Sequence, residues 1–147
     1  AISESPAPNV SRLAEEIGTS RATVMNYIKY LEEARLINLI YKEGEQFPKK
    51  PAAVLLHNTN LIYSIYCPYV NEQQTMETFF VNSLWRHHTV NKGKREGTYR
   101  VNSNVDICVC DRYKRVKTDA GSIVARYNTD LGRADNEIPL WLFGFLF

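Results

Sequence analysis

Residues 9–41 read NVSRLAEEIGTSRATVMNYIKYLEEARLINLIY, and this stretch decides how the first part of the chain folds. Leu13, Ala14 and Ile17 stand at i, i+1 and i+4, the spacing of an apolar helical face. Gly18 is suited to end that helix, because glycine enters the left-handed conformation without a steric penalty. Ser20 then offers a hydroxyl to the unpaired N–H groups of a second helix. Within that helix Val24, Ile28 and Leu31 form one stripe, bordered by Tyr27. The spacing predicts helices over 10–17 and 21–34 that meet through residues 18–20. An apolar run over 36–41, a turn at Gly44 and the strand-like AVLL at 53–56 complete a winged arrangement. Two helices across a Gly-containing turn form the unit that presents its second helix to a DNA major groove.

If Val24, Ile28 and Leu31 face inward, then Ala22, Asn26, Lys29 and Glu33 face outward. Bases are read from the N-terminal part of such a helix, which selects Arg21, Thr23 and Asn26 as base readers. Lys29 and the pair Lys49 and Lys50, in the QFPKKP segment at 46–51, would contact phosphates. Charge argues for restraint. Residues 1–60 carry seven Lys/Arg and seven Asp/Glu, whereas residues 61–147 carry eleven against nine and so hold the whole net charge of +2. A protein that grips DNA through phosphates clusters positive charge on its docking face. A rigid docking module for a protein partner is therefore the competing expectation for this unit.

At 147 residues the chain holds one ordinary domain or two small ones, and its 44 % hydrophobic and 23 % charged composition is that of a globular protein. The longest apolar run, residues 138–147, is too short for a membrane-spanning helix, so no membrane association is expected. No charged-then-apolar leader opens the sequence, and Ala1-Ile2-Ser3 reads as the start of a segment from a longer protein. Three cysteines, Cys67, Cys108 and Cys110, form no disulfide framework and fit a reducing cytoplasm. Cys108 and Cys110 are two apart in a strand-like run and point to one face; they read as buried apolar side chains rather than as metal ligands.

Further along, residues 3–8 form a polar, Pro-bearing lead-in. Residues 57–66 (HNTNLIYSIY) read as an Asn-capped helix broken by Cys67-Pro68. Residues 71–88 read as an amphipathic helix, with Met76, Phe79, Phe80, Leu84 and His87 at helical spacing. His87-His88 then mark a surface helix end. Residues 91–99 read as a basic, Gly-bearing loop. Val105, Ile107 and Val109 alternate as a half-buried strand. Residues 113–117 are a strand or an exposed turn, 122–127 a strand and 131–136 a turn. Residues 138–147 read as a terminal strand entered through Pro139, buried on both sides, with the aromatics Trp141, Phe143, Phe145 and Phe147 on one sheet face.

These segments, in the order 9–41, HNTNLIYSIY, METFFVNSL and EIPLWLFGFLF, resemble the C-terminal region of prokaryotic AAA-type ATPases that carry an uncharacterised C-terminal domain. The resemblance covers nearly the whole chain and is firmest at 9–66 and 137–147. It implies a winged helix over 1–57, following an ATPase core. It implies a small α/β domain over 58–147, similar to restriction-endonuclease-like nucleases. The fold expected is thus α/β, of the α+β kind, with a winged helix-turn-helix and a mixed-sheet domain. No GxxxxGK[ST] loop occurs, so ATP and magnesium would belong to an ATPase part outside this segment. The partners implied are double-stranded DNA, that ATPase domain and further copies of the chain.

Residue by residue, the nuclease resemblance implies a helical acid at Glu77 and a strand acid at Asp106, two oxygen ligands for magnesium. An acid-x-Lys pair should follow. The chain instead reads Arg112-Tyr113-Lys114-Arg115-Val116-Lys117-Thr118, with Val116 about where the acid should stand. Asp111 and Asp119 are the nearest substitutes if folding brings them toward Asp106. The expectation is a vestigial site, with Glu77 paired locally and Asp106 a surface strand residue. Three functions follow: a non-catalytic DNA- or partner-binding accessory region, a metal-dependent nuclease, or a structural oligomerisation domain.

Overall fold

A computed structural model describes residues 7–66, 70–117, 119–130 and 134–146. It is a mixed α+β protein with two sheets. Helices α1 (Val10–Ile17) and α2 (Arg21–Glu33) come first, then strands β1 (Ile37–Ile40) and β2 (Ala53–Leu56). Helices α3 (Thr59–Tyr66) and α4 (Glu72–Leu84) lead into β3 (Val90–Lys92), β4 (Thr98–Val101) and β5 (Val105–Cys110). Strands β6 (Ile123–Arg126) and β7 (Glu137–Pro139) precede a terminal 3-10 helix, Leu140–Phe145.

The first helix pair forms as the spacing predicts. Asn9 caps α1 by accepting from Arg12 N at 3.2 Å, and Ser20 caps α2 by accepting from Thr23 N at 3.1 Å. Gly18 sits at φ 69, with its N–H on Glu15 O (3.2 Å) and Thr19 N–H on Ala14 O (2.9 Å), the paired bonds of a Schellman ending. One assignment fails: Ile17 is 59 % exposed, and the buried face of α1 is Val10 and Ala14, with Leu13 beside them.

Strands β1 and β2 pair antiparallel, with Leu39 opposite Val54 and Ile40 opposite Ala53. Both faces of this hairpin are buried. Ile37, Leu39 and Val54 pack with Val10, Ala14, Val24 and Ile28, while Ile40, Ala53 and Leu55 join Met76, Phe80, Tyr99 and Val109. Period-2 alternation forces that split, since a strand with apolar side chains on both faces needs cover on both.

The second sheet runs β3-β4-β5-β6-β7, antiparallel through β5 and parallel from β5 onward. Helix α4 and the 3-10 helix cover one face, where Tyr99, Val101, Ile107, Val109 and Ala125 point inward. Cys108, Cys110 and Val124 cluster on the opposite face.

Four expectations need correction. The long helix ends at Leu84, not residue 88; His87 N and His88 N both return to Leu84 O, and Trp85 instead meets His57 edge-on at 5.3 Å. Residues 91–99 are not a loop, because Val90–Lys92 and Thr98–Val101 pair as strands. Gly93 permits that pairing, since a Cβ there would lie 2.7 Å from Thr98 Cγ2. Strand β5 is buried on both faces at its end, as Cys108 and Cys110 are covered like Val109.

The tail, finally, is not a strand beyond Pro139. Proline ends the donors available for pairing, and the chain winds so that Leu140 and Phe143, three apart, face α4. Trp141 and Phe145 are 50 % and 76 % exposed, so the aromatics do not share one sheet face. Residues 113–117 form the exposed-turn alternative rather than a strand. The lead-in at 3–6, Cys67-Pro68, Thr118, the start of the 131–136 turn and Phe147 lie outside the described residues.

Phe80 is fully buried and stacks near both Tyr99 (5.5 Å) and Phe143 (5.1 Å). Phe80→Ala is expected to lower unfolding free energy by about 3–5 kcal/mol in urea titrations. Phe145→Ala, at a solvent-facing position, should change it by less than about 0.5 kcal/mol.

Candidate functional site

Three of the residues predicted to face DNA meet at one place. Arg21, Asn26 and Lys50 line a concavity of about 320 Å³ between the first half of α2 and the β1–β2 loop, with Ala22, Met25 and Phe47 beside them. Lys49 stands next to it, exposed, in an ion pair with Glu45 at 3.3 Å. Such an exposed pair is worth little and yields readily to a phosphate. Thr23 is elsewhere, its hydroxyl 2.9 Å from Ser20 Oγ as part of the helix cap. Lys29 is held by Glu32 at 2.6 Å, and that hydrogen bond raises its pKa. The exposed face of α2 also carries Tyr27 and Tyr30.

Glu77 and Asp106 are not brought together. Glu77 projects from α4 into the covered face of the sheet, where it is 8 % exposed. It accepts hydrogen bonds from Tyr99 OH and from Gln73 Nε2 (2.8 Å), and Lys92 Nζ lies 3.8 Å away. Burial, then the Glu77 charge, pushes the Tyr99 pKa well up, so this phenol keeps its proton and donates. Asp106 alternates with Ile107 and lies on the other face, alongside Thr98 and Cys108. It pairs with Arg100 at 3.1 Å, and Arg100 also reaches Glu43 at 3.4 Å.

One magnesium ion cannot be shared by carboxylates on opposite faces of a sheet. The residues present therefore do not fit the metal that the nuclease resemblance implies, and no group of three or more potential metal ligands occurs among the described residues. Asp119 does line the same cavity as Asp106, but it pairs with Arg95 at 3.2 Å. Asp111 accepts from its neighbour Arg112 N at 2.5 Å.

The outer face of the sheet holds what the sequence did not disclose. A cavity of about 500 Å³ is lined by Lys94, Lys114, Arg115 and Lys117, with Thr98 and Cys108 toward its floor. Arg126, buried, shapes its wall by donating to Asp111 O (2.8 Å) and Lys114 O (3.0 Å), while Glu137 holds its other nitrogen at 2.5 Å. The Cys110 thiol hydrogen bond brings the Cys108 pKa below the ordinary thiol range. Burial opposes that, while Thr98 and the charges of Lys114 and Arg126 reinforce it. The pairing of the two thiols pushes Cys110 the other way. Spacing alone placed both thiols on one face; the cations come from the β3–β4 turn and from the segment that follows β5.

No match was found between this chain and any protein-family model, curated protein or solved structure. Among the described residues no helix is long and apolar enough to cross a membrane.

A thiolate step below the ordinary thiol range should appear in the ultraviolet, and Cys108→Ser should remove that step. Because this pKa is lowered on folding, the stability it contributes is present in full above the unfolded pKa and is lost as pH falls through the depressed folded pKa. A midpoint in the ordinary thiol range would contradict this assignment.

Proposed function

We propose that this chain is a non-catalytic accessory region that binds double-stranded DNA through α2 and the β1–β2 loop, in the manner of a winged helix-turn-helix. The observation that carries the reading is the convergence of Arg21, Asn26 and Lys50 on one concave surface at the start of α2. That is where helix-turn-helix proteins read base edges. Arg21 offers a bidentate fork for guanine and Asn26 an amide for adenine. Lys50 and Lys49 supply phosphate contacts from the loop.

The order helix–turn–helix–hairpin supports the winged-helix reading, and α4 against a mixed sheet supports kinship with a nuclease-like fold whose metal site has been lost. The family reading adds an ATPase core on the N-terminal side as partner, with ATP and magnesium held there, and a cytoplasmic setting. A neutral first unit supports modest affinity, so DNA binding would be local and assisted by the partner domain. The exposed Tyr27 and Tyr30 favour a second reading, in which α2 docks on a protein.

Fluorescence anisotropy with mixed-sequence duplexes at low salt separates the two. Arg21→Ala is expected to weaken binding by about 1–3 kcal/mol. Replacing Lys49 and Lys50 together should flatten the salt dependence by roughly two units of slope. Absence of duplex binding at tens of micromolar protein would favour the docking reading.

A further inference from the structure

The cavity on the outer sheet face plays no part in duplex binding by α2, and its charge is not balanced from within. Arg95 is matched by Asp119 and Arg100 by Asp106. Lys94, Lys114, Arg115 and Lys117 have no carboxylate partner among the described residues, and Glu96 is the one unmatched acid on the lining. Like charges gathered round a concave surface repel one another and raise the local potential for anions. Folding holds them there all the same.

The loop that carries three of these cations has no regular structure, yet it is fixed at both ends. Buried Arg126 binds the carbonyls of Asp111 and Lys114. Arg95 binds the carbonyl of Lys117 and the carboxylate of Asp119. A basic wall fastened in this way is pre-organised, which lowers the ordering cost of capturing a ligand. The volume, about 500 Å³, lies in the range of small-ligand sites.

From the convergence of Lys94, Lys114, Arg115 and Lys117 on this fastened cavity, we infer that it is a second binding site, for a phosphate-bearing ligand of nucleotide size. Arg115 is the member able to grip two phosphate oxygens at once, and the lysines act as point charges around them. Thr98 and Ser122 also line the cavity and add hydroxyl-bearing side chains. The phosphate arrives either on a free nucleoside polyphosphate or at the end of a single-stranded nucleic acid.

The test is a titration of the isotope-labelled protein followed by amide chemical shifts, with inorganic pyrophosphate as first probe. Saturable shifts are expected in residues 94–98 and 114–122, with α2 unmoved. Lys114→Gln combined with Arg115→Gln should weaken pyrophosphate at least tenfold while the spectrum stays folded, and Arg21→Ala should leave it unchanged. A nucleoside triphosphate and a 5′-phosphorylated single-stranded oligonucleotide, each against its unphosphorylated twin, identify which source binds more tightly. Shifts that are absent at millimolar probe, that centre on α2, or that survive the double substitution would each overturn the inference. None of these results depends on duplex binding, so failure here and failure of the α2 reading are distinguishable.

Discussion

The carboxylate of Glu77 ties the second half of the molecule together. A buried charge is costly unless every partner is present, and here donors come from three elements: Tyr99 from β4, Gln73 from α4 itself and Lys92 from β3. Gln73 also donates to Val109 O at 3.0 Å, so the same cluster touches β5. Lys92 lies over the Tyr99 ring at 4.6 Å, and its backbone N–H donates to Tyr41 O at 2.8 Å. Glu77 thus adds polar ties from α4 to β3 and β4 to the apolar packing of Met76, Phe80, Val81 and Leu84. The partners it engages are those of a structural acid, already satisfied by protein.

From that anchoring the orientation of β5 follows. With Ile107 and Val109 turned toward α4, Asp106, Cys108 and Cys110 must face the other way. The outer face then acquires a thiol with a depressed pKa and a ring of cations, held by Arg126 and Arg95. The hairpin plays the equivalent part at the other end. Buried on both faces, it contributes to the packing of α1 and α2 on one side and to the packing of α4 on the other, so two apolar clusters share one hairpin.

Much of the first half was legible because its signals are local. Caps at Ser20 and Asn58, the left-handed Gly18 and the short apolar runs INLI and AVLL each act within a few residues. Strand β3 was hidden because an edge strand carries polar and charged side chains, and its inner neighbour β4 carries Arg100; Asn91, Lys92 and Arg100 disguise both as a loop. The β3–β4 pairing depends on Gly93, and the β4–β5 pairing on a tight turn in which Asn102 and Ser103 both take positive φ, neither of which periodicity registers. In the tail, apolar content was read correctly and conformation was not, since only the absence of a further strand partner after Pro139 decides it. For the candidate site, Arg21 and Asn26 could be named from helical spacing, and Lys50 from the basic QFPKKP segment. That Glu77 and Asp106 lie on opposite faces could not, because spacing does not say which face a helix covers. The basic cavity rests on contacts such as Arg95 to Asp119 and Arg126 to Lys114, which no local pattern encodes.

Tyr99, Gln73 and Lys92 hold Glu77 as a structural anchor rather than as a metal ligand. Equilibrium unfolding in urea, comparing the unaltered protein with Glu77→Ala in the presence and absence of magnesium, tests this role most directly. Removing one partner of a buried ion pair strands the other, so the substitution should cost about 3 kcal/mol or more, and magnesium should not stabilise either protein. Unchanged stability in Glu77→Ala, together with magnesium stabilising only the unaltered protein, would contradict the account.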